Sequence, residues 1–386
     1  MAETFAPSPA PVRPRPPSLR VAVGGGAAFF LIGLLVAVYG PLIPVLRATF
    51  GGSATAASLL VSAHFAGSVL GVLTAGVADR RSTFRVRFLV ELTVVAAGAL
   101  VLMAAPAWPV LLGGAFLLGL GFGGLDLDLN VYFASAYGER GAVVLNLLSA
   151  AFGVGAVAGP LLVAATDGNR LAIALTYLVI ALATMPLLAG APNVLPAGPA
   201  RDRTAAGGRP LIVAAFLVLF LLYVGAETGV ASWAATYLIE VAGSSADTAA
   251  GATATFWVAF TAGRLLAAPL SLRLSPARLV PLTLLLATAS MALAWWPPAA
   301  GYSFILTGLF LAPVFPTALS WFVQVNPAAG TSTALVIAGA SFGPILISPL
   351  IGLTHDRLGP AAIAPALVAV IVLDLGLAVV LRRVRR

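Results

Sequence analysis

The sequence predicts an all-α membrane protein with twelve transmembrane helices in two six-helix, pseudo-symmetric bundles. Three observations predict it: an extreme apolar composition, arginines clustered between long apolar runs, and a repeat that pairs runs six apart.

Of the 386 residues, 60% are hydrophobic and 9% are charged. Soluble proteins carry about a quarter charged residues, so a soluble enzyme of this length could not cover its surface. The same apolar content excludes disorder. There is no cysteine, which removes disulfides, thiolate nucleophiles and Cys-ligated metals. His64 and His355 are too far apart in sequence to suggest a metal site. No cofactor and no metal are expected. The net charge of +8 could suggest nucleic acid. The arginines lie in short clusters between apolar runs, as topology determinants do, so no nucleic-acid partner is expected.

A bilayer core of about 30 Å takes roughly 20 apolar residues as helix. Twelve runs meet that length: 21–46, 54–78, 86–105, 109–136, 141–165, 170–190, 210–240, 247–271, 277–297, 299–325, 331–354 and 360–381. The shortest turns fall at Pro106–Pro109 and Pro297–Pro298. Residues 1–20, with six prolines and Arg13, Arg15 and Arg20, read as a disordered cytoplasmic tail rather than a signal peptide. With that tail inside, 17 of the 21 arginines fall on inside segments. The positive-inside rule then places both termini in the cytoplasm, and arginine in place of all lysine, with much Ala, Gly and Val, suggests a bacterial inner membrane. Residues 191–209, rich in Pro, Gly and Arg, read as a cytoplasmic linker between bundles at 21–190 and 210–386.

Span four lies over span ten at offset 189: Gly119 meets Gly308, Tyr132 meets Trp321 and Phe133 meets Phe322. In spans five and eleven, Phe152-Gly153 and Gly159-Pro160 match Phe342-Gly343 and Ser348-Pro349. Spans two and eight match over 71–81 and 263–273. Three matches at nearly one offset indicate a parallel repeat about an axis along the membrane normal. Such repeats place a solute site at mid-membrane between the halves.

Ionisable groups inside a membrane are costly and mark function by default. Asp126 and Asp128 lie about 15–18 Å along span four at 1.5 Å per residue. Two residues apart is about 200° on a helix, so the two acids face different ways. Asp126 shares a face with Asn130 and is favoured for the cavity, with Asp128 turned to a partner helix; a structural role for the pair stays open. Glu227 sits midway along span seven between Gly225 and Gly229, which suggest an interrupted helix there. These three acids are the proton-coupling candidates. Trp233 and Tyr237 share a helical face that suits a sugar or a similar amphipathic ligand, interfacial anchoring being the alternative. Tyr39, His64, Asn146 and Trp321 complete the substrate-binding candidates with Asn130. Arg264 is expected to pair with an acid or snorkel, Asp374 to be structural, and Arg87 and Glu91 to pair locally at i, i+4.

The loop after span two carries Asp79-Arg80-Arg81, with Arg85 four residues on. It resembles the G-x-x-x-D-R-x-G-R-R loop of the major facilitator superfamily at the acid and Arg80; Ala75 and Ser82 stand at the two glycine positions. The resemblance implies that Asp79, Arg80, Arg81 and Arg85 form a cytoplasmic gate. Gly119–Asn130, Asn146–Leu162 and Tyr223–Leu238 further resemble the fucose-permease-like branch. That branch implies a monomeric secondary transporter, not an enzyme, that moves a small polar solute, a sugar being the expected class, with protons. Two features depart from it. Span one has no acid between Val21 and Val45, and Gly155-x-x-x-Gly159-Pro160 is similar to the element of drug–proton antiporters. A drug or metabolite exporter of the same fold is therefore the alternative, and a non-transporting membrane sensor the remote one.

Overall fold

The computed structural model describes residues 17–77, 82–137, 140–191, 210–326 and 330–384. Among these residues, fifteen α-helices form the twelve expected spans. Nine spans are single helices: Ala54–Val77, Phe84–Ala104, Trp108–Tyr137, Gly141–Ala165, Arg170–Leu188, Pro210–Glu240, Ala246–Ser271, Pro276–Ala292 and Ile363–Val384. Eleven of the twelve stretches are long and apolar enough to cross a membrane. The exception is span eight, Ala246–Ser271, whose threonines and Arg264 lower its mean hydropathy.

Three spans are broken. Span one divides into Leu19–Ala37 and Tyr39–Phe50, span ten into Ala300–Leu311 and Val314–Val325, and span eleven into Gly330–Ala340 and Phe342–Leu358. Proline explains each break. Pro41, Pro316 and Pro344 have no N–H to give the carbonyl four residues earlier, which belongs to Ala37, Ala312 and Ala340, the residue at or beside the interruption. The interruption expected at Gly225 and Gly229 does not occur: span seven is one continuous helix. Those glycines serve packing instead. A Cβ on Gly225 would lie 2.5 Å from Ile347, and one on Gly229 would lie 2.9 Å from Ile351, both in span eleven.

The packing repeats with the period of six spans. Span two packs on four, three on four and six, and one on five; correspondingly eight packs on ten, nine on ten and twelve, and seven on eleven. There are two hydrophobic cores. One is drawn from residues 21–191, the other almost wholly from residues 216–378 with Ala37, Ala54 and Ala156 added. The halves meet through spans one and seven, two and eleven, and five and eight.

The tightest seam lies between spans two and four. A Cβ on Gly119 would fall 1.8 Å from the His64 carbonyl oxygen, and one on Gly123 would fall 2.1 Å from that of Ser68. From the other side, Gly67 and Gly71 approach the Phe116 and Leu120 carbonyls equally closely. Small residues allow this backbone-on-backbone contact, which drives helix association in membranes. Gly119→Val is expected to cost upwards of about 1–3 kcal/mol and to remove most of the monodisperse peak in size-exclusion chromatography. Gly113→Val, where a Cβ meets nothing within 4 Å, is expected to leave that peak intact.

Candidate functional site

Twelve crossings put Leu19 and Val384 on one face of the bundle, here the terminal face. The opposite, distal face carries the turns after Phe50, Ala104, Ala165, Glu240, Ala292 and Leu358.

The two span-four acids face different ways, as helical spacing requires. Asp128 is 1% exposed, and its Oδ1 lies 2.5 Å from Nη2 of Arg87 in span three. Arg87 also donates to the Ala75 carbonyl of span two. Glu91, buried one turn further along span three, lines the same cavity as Arg87, and its Oε2 has no hydrogen-bond partner. The local Arg87–Glu91 pair expected from spacing is thus replaced by the pair of Arg87 with Asp128. Asp126 is half-buried and outside this pair. Asn130 Nδ2 donates to its Oδ1 at 3.1 Å and to its backbone oxygen at 2.8 Å.

In the second half, Glu227 is half-buried in span seven. Tyr223 lies one turn earlier on the same helix, its hydroxyl buried without a hydrogen-bond partner, and Arg264 of span eight is exposed. The Arg264 guanidinium carbon sits 4.8 Å from the Phe260 ring centroid, a cation–π contact. Asp374 of span twelve is fully buried, and neither of its carboxylate oxygens has a hydrogen-bond partner.

The remaining candidates sort into packed and open positions. Tyr39 Oη lies 3.0 Å from His64 Nδ1, and both side chains are buried. Trp321 is buried against Phe216, ring to ring at 5.2 Å. Tyr237 is buried and donates to the Ala294 carbonyl at 2.8 Å. Trp233 is buried with its ring centroid 6.1 Å from that of His355. The face shared by Trp233 and Tyr237 therefore packs inside the protein and is not an interfacial anchor. Asn146 and Arg85 are exposed. Asp79, Arg80, Arg81 and most of the linker lie outside the described residues.

One group of residues was not singled out from the sequence. At the distal face, Arg47 Nη1 donates to Glu240 Oε1 at 2.7 Å, joining span one to span seven. His355 Nε2 of span eleven lies 2.7 Å from Glu240 Oε2, and its Nδ1 lies 3.5 Å from Asp356 Oδ1. Asp356 accepts from Ala54 N at 2.8 Å, Thr55 N at 2.9 Å and Thr55 Oγ1 at 2.6 Å. A carboxylate of one half thus caps the first turn of span two in the other. Deeper in the same seam, Ser62 Oγ donates to the Ile345 carbonyl at 3.0 Å. The signal available in the sequence was the run His355-Asp356-Arg357 closing an apolar span.

Residues 26–333 match the Major Facilitator Superfamily, and the chain belongs to that family. It is 26% identical over 350 residues to the glucose/mannose transporter GlcP of Bacillus subtilis, covering 85% of this chain and 86% of that one. It is 25% identical over 385 residues to the sodium-dependent glucose transporter 1A of Mus musculus, covering 86% and 88%. Among solved structures, it superposes on the nucleoside transporter NupG with a TM-score of 0.75 at 13% identity, covering 93% and 96%. For FucP, titled as a transporter in the outward conformation, the values are 0.64, 18%, 95% and 98%. The fold likeness therefore extends beyond the fucose-permease branch and does not single it out. The protein is a multi-pass membrane protein and a transporter, not an enzyme. It is a secondary transporter that moves a small solute by alternating access.

Proposed function

We propose that the protein carries a sugar together with protons across a bacterial cytoplasmic membrane as a monomer, its terminal face in the cytoplasm. The observation that carries this reading is the placement of Glu227, a half-buried acid midway along span seven between two glycines that seat the helix on span eleven. A carboxyl so placed can take up and release a proton as the halves rock, and the exchange changes how much charge is held inside the bilayer. Asp126 with Asn130 is the matching acid of the first half. With the Asn130 amide hydrogens engaged by Asp126, the pair offers acceptor oxygens to a hydroxyl-rich solute, as sugar recognition requires. The named activities of the Bacillus subtilis and mouse relatives, both glucose transporters, support the sugar class. The positive-inside distribution of arginine supports the orientation, with Asp79, Arg80, Arg81 and Arg85 as the cytoplasmic gate. Tyr39, His64, Trp233, Tyr237 and Trp321 are packed in this state, and we assign them to shaping the halves rather than to first contact with solute.

The test is uptake of radiolabelled glucose, galactose, fucose and a nucleoside into proteoliposomes. It is run with an imposed proton gradient, an imposed sodium gradient, or neither. Concentrative uptake of a sugar under the proton gradient is the expected result. Uptake driven by sodium alone would replace the coupling ion, and uptake of the nucleoside alone would replace the solute class. Export is the second reading, favoured by the absence of an acid from span one.

A further inference from the structure

The distal cluster crosses between the halves, so it must come apart whenever the protein opens on that side. Its members are Arg47 from span one, Glu240 from span seven, and His355 and Asp356 from span eleven, with Asp356 seated on the first turn of span two. We propose that this cluster is a proton-sensitive outer gate in which His355 is the switching residue.

The geometry of the ring carries the argument. Nε2 meets a carboxylate oxygen of Glu240 at 2.7 Å, and Nδ1, which makes no hydrogen bond, lies 3.5 Å from Oδ1 of Asp356. A neutral imidazole has one N–H, whereas an imidazolium has two. In the neutral form, one ring nitrogen therefore turns a lone pair toward a carboxylate. In the protonated form, both carboxylates face a donor, and the two positive charges balance the two negative ones. Nδ1 is buried and has no hydrogen-bond partner, so water does not relieve the mismatch. The Trp233 ring lies 6.1 Å from the His355 ring.

Among the described residues, the other neighbouring spans bring no further titratable group to the ring, and the start of span twelve, Pro360–Ala362, is apolar. Span two contributes Ala54, Thr55 and Ser58, none of them ionisable. Span one contributes Arg47 and span seven Glu240, both already in the cluster. Outside it, Asp167, Asp247 and Arg357 are exposed at the same face. Imidazole is the side chain whose ordinary titration falls between pH 5 and 8. The closed gate binds the extra proton and the open gate does not, so acid favours closure and alkali favours opening. Arg47 and Asp356 are positioning residues: one holds Glu240 in place, and the other ties the ring to span two.

The absence of cysteine from the chain makes the test direct. Ser58 is fully buried between the halves, against Gly352 of span eleven, and Ala246 is exposed at the distal face in this closed state. Single-cysteine proteins Ser58→Cys and Ala246→Cys are purified and labelled with a maleimide between about pH 5.5 and 8, with no solute added. The ratio of their labelling rates cancels the intrinsic reactivity of the thiolate. That ratio is expected to rise about tenfold across the range, and to become flat in a His355→Gln background. A ratio independent of pH in the parent protein, or an unchanged slope in His355→Gln, would overturn the proposal. Should His355→Gln fail to fold, Glu240→Gln serves instead: it removes the nearer carboxylate and must flatten the slope, and an intact slope there overturns the proposal equally. Because no solute takes part, the result stands apart from the sugar and proton-coupling reading.

Discussion

Glu227→Gln is expected to abolish uphill uptake while leaving exchange of solute across the membrane intact. The amide has the size and shape of the protonated acid, but it cannot deliver a proton. For one proton per solute, a gradient of one pH unit supports about tenfold accumulation. The variant is expected to stop near an internal-to-external ratio of about one. Counterflow, in which internal solute exchanges for external label, moves no net proton and continues. The contrast between the two assays on one preparation separates lost coupling from lost folding. Proton-driven accumulation equal to that of the parent would remove Glu227 from the mechanism. Asp126→Asn, tested beside it, reports whether the first half carries a second coupling acid or only a solute contact.

Arg87→Met is expected to be among the most destabilising single changes in the first half. Arg87 and Asp128 side chains are 10% and 2% exposed, and the buried Glu91 lines the same cavity as Arg87. Removing the guanidinium leaves two buried carboxyls without a counter-charge. Breaking a buried pair by deleting one partner costs about 3–5 kcal/mol. A large fall in the melting midpoint of purified protein is the readout. The double variant Arg87→Met/Asp128→Leu replaces the pair with apolar side chains and is expected to recover much of the loss, since such exchanges are often close to neutral. A double variant as unstable as Arg87→Met would show that the pair matters through something other than charge compensation.

The fold was largely legible because length and hydropathy decide a transmembrane helix, and the constant offset between Gly119 and Gly308 announced the repeat. Details that depend on rotation about a helix axis were not legible. Span seven is apolar on nearly every side, so nothing in its pattern says which face turns inward. Trp233 and Tyr237 do share a face, and that face is packed. Arg87 and Glu91 are correctly spaced for each other, but the rotation of span three brings Arg87 to Asp128 in the next span. Proline was informative only in part. Pro41, Pro316 and Pro344 coincide with breaks, whereas Pro160, Pro186 and Pro269 sit inside continuous helices. The distal cluster was the least readable feature. The contacts that join it across spans link residues 115 to 302 positions apart and form only when the halves assemble.

The glycine seam between spans two and four has a mechanical consequence. With each backbone seated against the other at Gly67, Gly71, Gly119 and Gly123, the two helices cannot slide past one another without lifting apart. They travel as a single stiff lever. One end of that lever is pinned at the distal face by the Asp356 carboxylate; its body carries Asp126 and Asp128 on opposite sides. Releasing the pin therefore moves Asp126 relative to the opposing half, while Asp128 travels with Arg87, whose guanidinium is itself bonded to span two at Ala75.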